Sequence, residues 1–477
     1  MTQHALGFDV GLSGVRATVV RDDGVLVATA RRPHRRARMA DGIAEHDPAE
    51  WLEGVEATGR EALAVAGGVQ EAASASGLRI AAVGVAALGP APVLVDAELR
   101  PLTKALLFAL DRRSEPQRLE MAARGPADQA AQTLDNALPK LAWWLEHDSH
   151  AAAQAAWALD ATGFVVGALT GVPVMDTVTA PDYALPGVAP PVPLPDPVDS
   201  TAVAGELTAG WAERLGLAPG IPVAAGTYDS FVDLAAAGVR RPGDGGLVLG
   251  STTIVCRAVD EGFEPPPGLG LSAYPGDGLL AGGWTLSGGL VLDWFADRFG
   301  AGDDVVRAAA ELEPGGMLAL PYLAGERTPL WDPFARGALI GLSRDTGPAD
   351  VYRALVDSLA LTALDHAERL EPQLGACPAW RATGGGTRHD LWPQATADAL
   401  GAPLEIAPDA GEAVGPALLA LRAIGADPER RPSAVMEPDP SRTARYRELL
   451  PAFRELSNVV APVLREMRSA RREEPAA

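Results

Sequence analysis

The sequence contains little cysteine, no long apolar run and no sign of an export signal. Its two cysteines, Cys256 and Cys377, lie far apart among apolar or small residues and lack the spacing of metal ligands. We therefore expect both thiols to be reduced and buried, as is usual in the cytoplasm. No window approaches the roughly 18 uninterrupted apolar residues of a membrane-spanning helix, and residues 1–4 lead directly into a strand pattern. These absences predict a cytoplasmic protein that has no membrane partner.

Basic residues are also in deficit. The 477 residues include 62 acids and 40 bases, which gives a formal net charge of −22. Nucleic acids and anionic membranes require a positive face, so we expect neither as a main partner. A nucleotide remains compatible with this charge, because backbone NH groups, a helix terminus and a metal ion suffice to hold one. The basic cluster at residues 31–38 is interpreted as a solvated edge or loop.

Length and local pattern indicate two lobes. A chain of 477 residues, 47% of them hydrophobic, exceeds one core and can fill two. Two apolar segments interrupted by small polar residues predict β-hairpins: residues 6–20, turning at 9–14, and residues 247–256, turning at 250–253. One hairpin opens each half of the chain, which suggests two related lobes that each present a hairpin to a shared ligand. The proline-rich segment 172–197 is predicted to be a covering loop or linker.

The segment Val223–Cys256 carries the strongest chemical signal. An apolar strand runs into a small-residue turn, and Asp229 then opens a short helix just before the second hairpin. A carboxylate at a strand-to-helix corner beside a small polar hairpin suggests a reacting hydroxyl group near a phosphate. Spacing alone also allows Asp229 to be a helix N-cap, and Asp9 in the first hairpin to be an ordinary turn residue.

Other segments have both a structural and a functional interpretation. Leu88–Pro92 follows a buried strand and is either a substrate wall or a tight turn. Gly384–Gly386 is either a simple strand-to-helix turn or a place where an adenosine or phosphate contacts the backbone. Residues 151–170 predict one helix, and the apolar residues of the segment 446–467 fall at helical spacing and predict core packing.

Taken in order, these segments resemble the FGGY carbohydrate kinase family from near the N-terminus to about Arg422. The most specific match is Pro321–Leu342, PYLAGERTPLWDPFARGALIGL, and a second is Gly384–Leu404, GGGTRHDLWPQATADALGAPL. Shorter matches occur, in order, at Gly42–Trp51, Leu138–Trp144, Leu169–Gly171, Leu194–Ala204 and Val223–Asp229. The resemblance rests on the many ordered matches across one chain rather than on a single motif.

The resemblance implies an α/β fold with two actin-like (ribonuclease H-like) lobes and an ATP and sugar cleft between them. Residues 1–240 would form the sugar-side lobe with the catalytic base, residues 241–440 the nucleotide-side lobe, and residues 441–477 a C-terminal helix and tail. The implied activity is the phosphorylation, by ATP with Mg²⁺, of a primary hydroxyl group of a small sugar. That sugar would be a pentulose such as xylulose, or a related ketose or polyol.

The resemblance also assigns roles to individual residues. Asp229 would be the general base, and Asp9 would face Mg²⁺. The phosphates would be bound by Gly11, Ser13, Arg16, Gly250, Ser251 and Thr252. The nucleotide would contact Gly384, Gly385, Gln394 and Gly415. The sugar would contact Leu88, Gly89, Asp111 and Asp229.

Departures from the family pattern leave the identity of the sugar open. Leu12 stands in the first hairpin where the family usually has threonine. Leu88–Pro90 stands where xylulose kinases carry Gln-Met-His, and Ala109 stands where a tryptophan is common, while Asp111 and Arg113 of the same stretch remain. The resemblance therefore implies the transfer chemistry but does not identify the substrate.

These departures motivate an alternative function, a catalytically silent protein that binds and responds to a sugar or nucleotide. A dinucleotide oxidoreductase would need a G-x-G-x-x-G turn after its first strand, and the segment Gly84–Gly89 does not have that order. The oligomeric state does not follow from the residues, and a homodimer is one possibility.

Overall fold

A seven-stranded sheet forms the centre of each of two units. The computed structural model describes residues 2–35, 38–40, 42–73, 78–108, 110–124, 136–276, 278–300, 302–332, 334–389, 391–428 and 430–472. The first unit comprises Met1–Ala236, Ala273–Asp277 and Glu412–Arg430, and the second comprises Ala237–Ser272, Gly278–Gly411 and Arg431–Ala477. The two-domain α/β class expected from the sequence is confirmed.

The described strands and helices are as follows. The strands before residue 240 are β1 (His4–Gly11), β2 (Gly14–Arg21), β3 (Leu26–Pro33), β4 (Arg38–Ala40), β5 (Ile43–His46), β6 (Ile80–Ala87), β7 (Val93–Val95), β8 (Ala105–Leu106), β9 (Trp157–Leu159), β10 (Met175–Asp176), β11 (Pro197–Val198), β12 (Val203–Glu206), β13 (Pro222–Ala224) and β14 (Thr227–Tyr228). The strands after it are β15 (Gly245–Leu249), β16 (Thr253–Val259), β17 (Gly270–Tyr274), β18 (Gly278–Trp284), β19 (Leu318–Leu320), β20 (Ala338–Ile340), β21 (Trp380–Thr383), β22 (Leu404–Ile406) and β23 (Ala434–Met436). The helices are α1 (Pro48–Ala73), α2 (Glu115–Arg124), α3 (Leu138–His147), α4 (Ser149–Gln154), α5 (Ala161–Thr170), α6 (Ala209–Leu215), α7 (Asp229–Ala236), α8 (Gly289–Phe299), α9 (Asp303–Ala310), α10 (Pro348–Leu374), α11 (Trp392–Leu400), α12 (Gly415–Ala423) and α13 (Pro440–Arg472).

The first sheet brings the carboxyl ends of three strands to one edge. Its order is β12-β13-β6-β1-β2-β3, and β14 also pairs with β6. The strands β1 and β14 both run parallel to β6, so that Asp9 and Thr227 are each in register with Ala86. Strand β6 is buried along nearly its whole length, which agrees with its continuous apolar sequence. Residues that follow β14 therefore emerge beside the end of β1.

Helix α12 packs on this sheet because two strands have glycine where it crosses. A Cβ atom on Gly7 in β1 would lie 2.4 Å from the backbone nitrogen of Ala417, and one on Gly84 in β6 would lie 2.0 Å from the carbonyl oxygen of Pro416. The sequence-based division at residue 240 placed this helix in the second lobe. This close backbone packing instead places residues 412–430 in the first unit.

The second sheet has the order β17-β18-β16-β15-β21-β22-β23. Strands β15 and β16 form the hairpin that the sequence predicted, and β21 runs parallel to β15 with Thr383 in register with Val248. Helix α13 belongs to this unit rather than to a separate tail, because its Tyr446 hydroxyl donates a hydrogen bond of 2.6 Å to Asp357 on α10. Arg353 completes this buried network with an ion pair of 2.8 Å to the same carboxylate.

One secondary-structure prediction was wrong, and one prediction of core packing was wrong in part. Residues 151–170 form the end of α4, strand β9 and helix α5 instead of one helix, because β9 pairs with β7 and this pairing outweighs the helical preference of the alanines. The predicted apolar stripe of α13 is buried only in its first half. Tyr446 and Phe453 are buried, whereas the side chains of Val463 and Met467 are each 52% exposed.

Among the described residues, no helix has the length and apolar character needed to cross a membrane.

The stretch Pro321–Leu342, which carries the most specific resemblance, is held by a buried carboxylate. Glu326 is fully buried, and it accepts hydrogen bonds from the backbone NH groups of Leu286 and Arg327 and from the hydroxyl of Ser287. Burial raises the pKa of Glu326 to about 7, although these three donors oppose the shift. The motif therefore has a clear structural role in the second unit.

We expect Gly84→Ala to destabilise the first unit, since the new methyl group would meet the Pro416 carbonyl in a contact between two backbones. The free energy of unfolding should fall by about 1–3 kcal/mol or more. Thermal and urea unfolding followed by circular dichroism would measure the change. Gly67→Ala is the matched control, because nothing lies within 4 Å of its Cβ position in α1 and alanine favours a helix by up to about 1 kcal/mol. A Gly84→Ala protein as stable as the wild type would contradict the packing described.

Candidate active site

Three carboxylates gather at the carboxyl edge of the first sheet. Asp9 lies near the end of β1, and Asp229 and Asp233 lie in α7, directly after β14. Positions four residues apart share one face of a helix, so Asp229 and Asp233 project to the same side. The charge of Asp9 raises the pKa of both α7 carboxyls, which shows that the three groups interact.

Asp9 has the features of a cation ligand. It is paired in register with Arg16 across the β1–β2 hairpin, and Arg16 is in turn paired with Arg31 of β3. Burial raises the pKa of Asp9 to about 6, while the charges of Arg16 and Arg31 oppose the shift. Its Oδ1 atom is buried and accepts no hydrogen bond from any described residue. A buried carboxylate oxygen without a donor is a suitable ligand for a hard cation such as Mg²⁺.

Asp229 does not make the usual helix-capping contact. A capping carboxylate accepts from an NH group two or three residues later, whereas Oδ1 of Asp229 accepts a hydrogen bond of 2.6 Å from the NH of the next residue, Ser230. Burial, and then the negative charge of Asp9, raise the pKa of Asp229 to about 7. A carboxylate with a pKa near neutrality is well matched to proton abstraction at physiological pH.

Asp233 is a member of the cluster that the sequence reasoning missed. Its pKa is raised to about 8 by burial and by the charges of Asp9 and Asp229, against the opposing effects of Arg16 and of a hydrogen bond from the NH of Gly415. A Cβ atom on Gly415 would lie only 2.7 Å from Oδ1 of Asp233. The resemblance assigned Gly415 to the nucleotide, but within the first unit this glycine lies against the carboxylate cluster. The four-residue spacing from Asp229 was the available signal.

A tyrosine that the sequence reasoning also missed covers the predicted sugar wall. A Cβ atom on Gly89 would lie 1.9 Å from Cε1 of Tyr228, so the ring occupies the space beside this glycine. The Tyr228 hydroxyl donates a hydrogen bond of 2.8 Å to Oδ2 of Asp182. Leu88 is buried, and its NH donates to the carbonyl oxygen of Val10 at 2.9 Å. The wall next to Asp229 is thus apolar and aromatic.

Asp111 is occupied by contacts within the first unit. Its side chain is fully buried, and Oδ2 accepts from the NH of Ala44 at 2.9 Å and from Nη2 of Arg113 at 2.7 Å. Arg113 also forms a 2.8 Å ion pair with Glu45. Asp111 therefore positions Arg113, and its contact with the sugar stays a prediction. Ala109, the neighbouring departure from the family pattern, lies outside the described residues.

In the second unit, the predicted phosphate-binding turn lies between β15 and β16. The carbonyl oxygens of Gly250 and Ser251 accept hydrogen bonds from the NH groups of Gly289 and Leu290, at the start of α8. The backbone NH groups of Ser251 and Thr252 have no acceptor within the described part of the chain. The turn is therefore held by its carbonyl groups and presents NH groups, as an anion-binding turn does.

The glycine turn after β21 lies against this hairpin. Gly384 has a φ of +96°, and a Cβ atom on it would lie 2.6 Å from the carbonyl oxygen of Leu249 and 3.3 Å from the nitrogen of Gly250. Both the conformation and the close approach require glycine here. The second unit thus brings together the predicted phosphate-binding turn and the predicted nucleotide-binding turn, Gly384–Gly385.

Gln394 is occupied by contacts within the protein. Its side-chain NH₂ group donates to Oδ1 of Asp398 and to the carbonyl oxygen of Glu437, each at 2.8 Å. Both of its amide protons are therefore used. The expected position of Gln394 beside the nucleotide stays a prediction, and these two protons are not available for it.

Comparison with known proteins identifies relatives over nearly the whole chain. The N-terminal domain model of the FGGY family of carbohydrate kinases matches residues 4–236, and the C-terminal domain model of the same family matches residues 247–424. A xylulose kinase from Escherichia coli (strain K12) is 27% identical over 96% of this chain and 99% of the relative. A glycerol kinase from Methylibium petroleiphilum is 30% identical over 84% of this chain and 86% of the relative.

The structure of a xylulose kinase from Rhodospirillum rubrum superimposes with a TM-score of 0.82. It covers 97% of this chain and 100% of that structure at 26% identity. The similarity in both sequence and structure extends through both units, so the carboxylate cluster and the two turns lie in the matched regions.

Asp233→Asn should stabilise the protein more at pH 8 than at pH 5. A carboxyl group with a pKa of about 8 when folded and an ordinary pKa when unfolded holds its proton more tightly in the folded state. Its ionisation therefore costs stability as the pH rises between these two values. Asparagine does not ionise and avoids that cost. Thermal unfolding of both proteins in chelator at the two pH values would measure the difference.

Asp260→Asn is the control for this experiment, because Asp260 is exposed in the loop after β16. It should change the melting temperature equally at both pH values. An equal gain at both pH values for Asp233→Asn would contradict the raised pKa.

Proposed function

Because the chain belongs to the FGGY family of carbohydrate kinases, we propose that it transfers the γ-phosphoryl group of ATP to a primary hydroxyl group of a small sugar or polyol, with Asp229 as general base. Members of this family are phosphotransferases that use an alcohol group as acceptor, and this chain is such an enzyme. The observation that carries the proposed mechanism is the position of Asp229 at the start of α7, in the same carboxylate cluster as the buried Asp9 Oδ1 atom, which has no hydrogen-bond partner among the described residues. Burial, and then the charge of Asp9, raise the pKa of Asp229 to about 7, which agrees with this role.

The proposed step requires positioning and one proton transfer. The Asp229 carboxylate accepts the proton of the acceptor hydroxyl as its oxygen attacks the γ-phosphorus, and the bond to the β-phosphate oxygen breaks to leave ADP. Mg²⁺, when bound, neutralises negative charge on the phosphates, and Asp9 is the residue that would hold it. In the folded protein the Asp9 carboxyl has a pKa of about 6, so it is mostly ionised at neutral pH and available as a ligand.

We assign residues of each unit to the phosphates and the nucleotide. In the first unit, the turn at Gly11 and Ser13 and the guanidinium group of Arg16 would meet phosphate oxygens. In the second unit, the turn Gly250–Thr252 would supply backbone NH groups, and Gly384–Gly385 would contact the adenosine. Gln394 and Gly415 are left out of this proposal, because their hydrogen-bonding groups are used within the protein.

We propose a small acceptor, a pentulose such as xylulose or a related ketose or polyol. The relatives named xylulose kinase and glycerol kinase support this size class. The apolar wall formed by Leu88, Gly89 and Tyr228 offers few hydrogen bonds, so the acceptor would be oriented mainly by shape and by the carboxylate that deprotonates it. The alternative of a catalytically silent binding protein has no support in these observations.

The cellular setting follows from the reaction. A reaction that consumes ATP requires a compartment that contains ATP, and both cysteines are free and buried. We therefore propose that the protein acts in the cytoplasm. A homodimer stays a prediction from the sequence.

Asp229→Asn should reduce kcat by roughly 10²–10⁴-fold, the usual contribution of a general base. For the wild type, kcat/KM should fall as the pH is lowered through about 7, because protonated Asp229 cannot accept the hydroxyl proton. A coupled ADP-release assay against a panel of pentuloses, hexuloses, aldoses and polyols would identify the acceptor. The same assay would give the kcat of the variant and the pH dependence of kcat/KM for the wild type. Asp260→Asn should behave as the wild type. The absence of turnover with every acceptor, while ATP still binds, would overturn the proposed function.

Tyr228→Ala should change which acceptors are used. Removing the ring opens space beside Gly89, so the ratio of kcat/KM for a hexulose to that for a pentulose should rise by roughly tenfold, the effect expected for a pocket altered by a small volume. Tyr228→Phe keeps the ring and loses the bond to Asp182, so it should preserve the ratio. An unchanged ratio in Tyr228→Ala would place the acceptor away from this wall.

A further inference from the structure

Two histidines and a glutamate lie close together near the β1–β2 turn. His34 follows β3, His46 ends β5 and Glu50 lies in the first turn of α1. One potential ligand atom from each of these residues lies within 4.8 Å of the other two. None of the three has a role in the proposed phosphoryl transfer.

The proton on His46 can be located from its contacts. Its Nδ1 atom lies 3.2 Å from the carbonyl oxygen of Asp47, and since a carbonyl oxygen can only accept, Nδ1 carries the proton. In a neutral ring whose Nδ1 carries the proton, Nε2 has a free lone pair. Nε2 is buried and has no hydrogen-bond partner among the described residues. It lies 3.8 Å from Oε2 of Glu50, which is also an acceptor.

The same reasoning applies to His34. Its Nε2 atom lies 3.1 Å from the carbonyl oxygen of Gly11 and therefore donates. In a neutral ring that donates through Nε2, Nδ1 is an acceptor. The two imidazole rings are tilted at 58° to each other, with their centroids 4.3 Å apart. Two imidazoles and a carboxylate thus lie close together, with one potential ligand atom of each within 4.8 Å of the other two.

We infer that His34, His46 and Glu50 form a binding site for one divalent transition-metal ion of the Zn²⁺ class. Imidazole nitrogen and carboxylate oxygen are ligands that Zn²⁺ accepts readily, whereas Mg²⁺ prefers oxygen alone. Each histidine also donates its other ring NH to a backbone carbonyl, which is the arrangement that orients metal-binding histidines.

The ion requires a small movement of the ligands. Zinc–nitrogen bonds of about 2.0–2.1 Å place tetrahedral ligands about 3.4 Å apart, which is closer than the present limit of 4.8 Å. The Glu50 carboxylate is the group that can move, because its other oxygen has a long contact of 3.7 Å with Arg35, whose side chain is 80% exposed. Water can fill the fourth position.

Metal binding would fix the turn of the first hairpin. His34 is tied to the Gly11 carbonyl, and Gly11 lies two residues after Asp9 in β1. An ion on His34 and His46 would therefore join β3, β5 and α1 to this turn. The site is structural with respect to the reaction, since none of its ligands touches the proposed substrates.

The test uses the full-length protein, stripped of metal with a chelator and titrated with Zn²⁺ in excess Mg²⁺, so that sites made only of oxygen are blocked. Calorimetry should show one Zn²⁺ ion per chain. X-ray absorption spectroscopy at the zinc edge should show two imidazole ligands, oxygen and no sulfur. His34→Gln and Glu50→Gln should each weaken binding by roughly tenfold or more, while circular dichroism reports that both variants remain folded.

His150→Ala is the matched control, because His150 is an exposed histidine on α4, and it should bind Zn²⁺ like the wild type. His46 itself is left intact, since its ring stacks on Trp51 at 5.6 Å and its loss could affect folding. No saturable binding, a sulfur ligand, or wild-type affinity in both His34→Gln and Glu50→Gln would overturn the site.

Discussion

The arrangement of the first unit depends on the electrostatic free energy that is required to hold three carboxylates close together in a partly buried position. The carboxyl groups of Asp9, Asp229 and Asp233 interact, and their pKa values are raised to between about 6 and about 8. The positive charges that oppose these shifts belong to Arg16 and Arg31. Such a cluster stores unfavourable electrostatic energy that a folded chain must offset elsewhere. A bound cation would relieve it, so the same groups that weaken the free protein favour the binding of a cation.

The packing of segments that are distant in the sequence offsets this unfavourable electrostatic energy. The glycines at positions 7 and 84 allow α12 to lie directly on β1 and β6, and the first residue of α12, Gly415, then donates its NH to Asp233. A substitution in the sheet therefore acts on the electrostatics of the site through the position of one helix. This link also explains why residues 412–430 belong with the first unit, although they lie near the end of the chain.

Local patterns were enough to predict the two hairpins, the corner at Asp229 and the glycine turn at Gly384, because each depends on neighbouring residues. They did not predict contacts between distant segments. Tyr228 lies against Gly89, Asp111 accepts a hydrogen bond from the NH of Ala44, and His34 lies close to Glu50. None of these pairings has a signature in the sequence. The helix predicted at 151–170 was wrong for the same reason, since its strand forms only through pairing with β7.

The contact between Tyr228 and Gly89 has a consequence for the volume of the predicted sugar wall. The Tyr228 ring leaves no room for any side chain at position 89. A larger residue in place of Gly89 would therefore clash with the ring, and a smaller residue in place of Tyr228 would leave a void. A larger residue at position 89 would thus require a smaller residue at position 228, although the two positions lie far apart in the sequence. The volume of this wall is therefore set jointly by two residues, and only Tyr228 can be made smaller by itself.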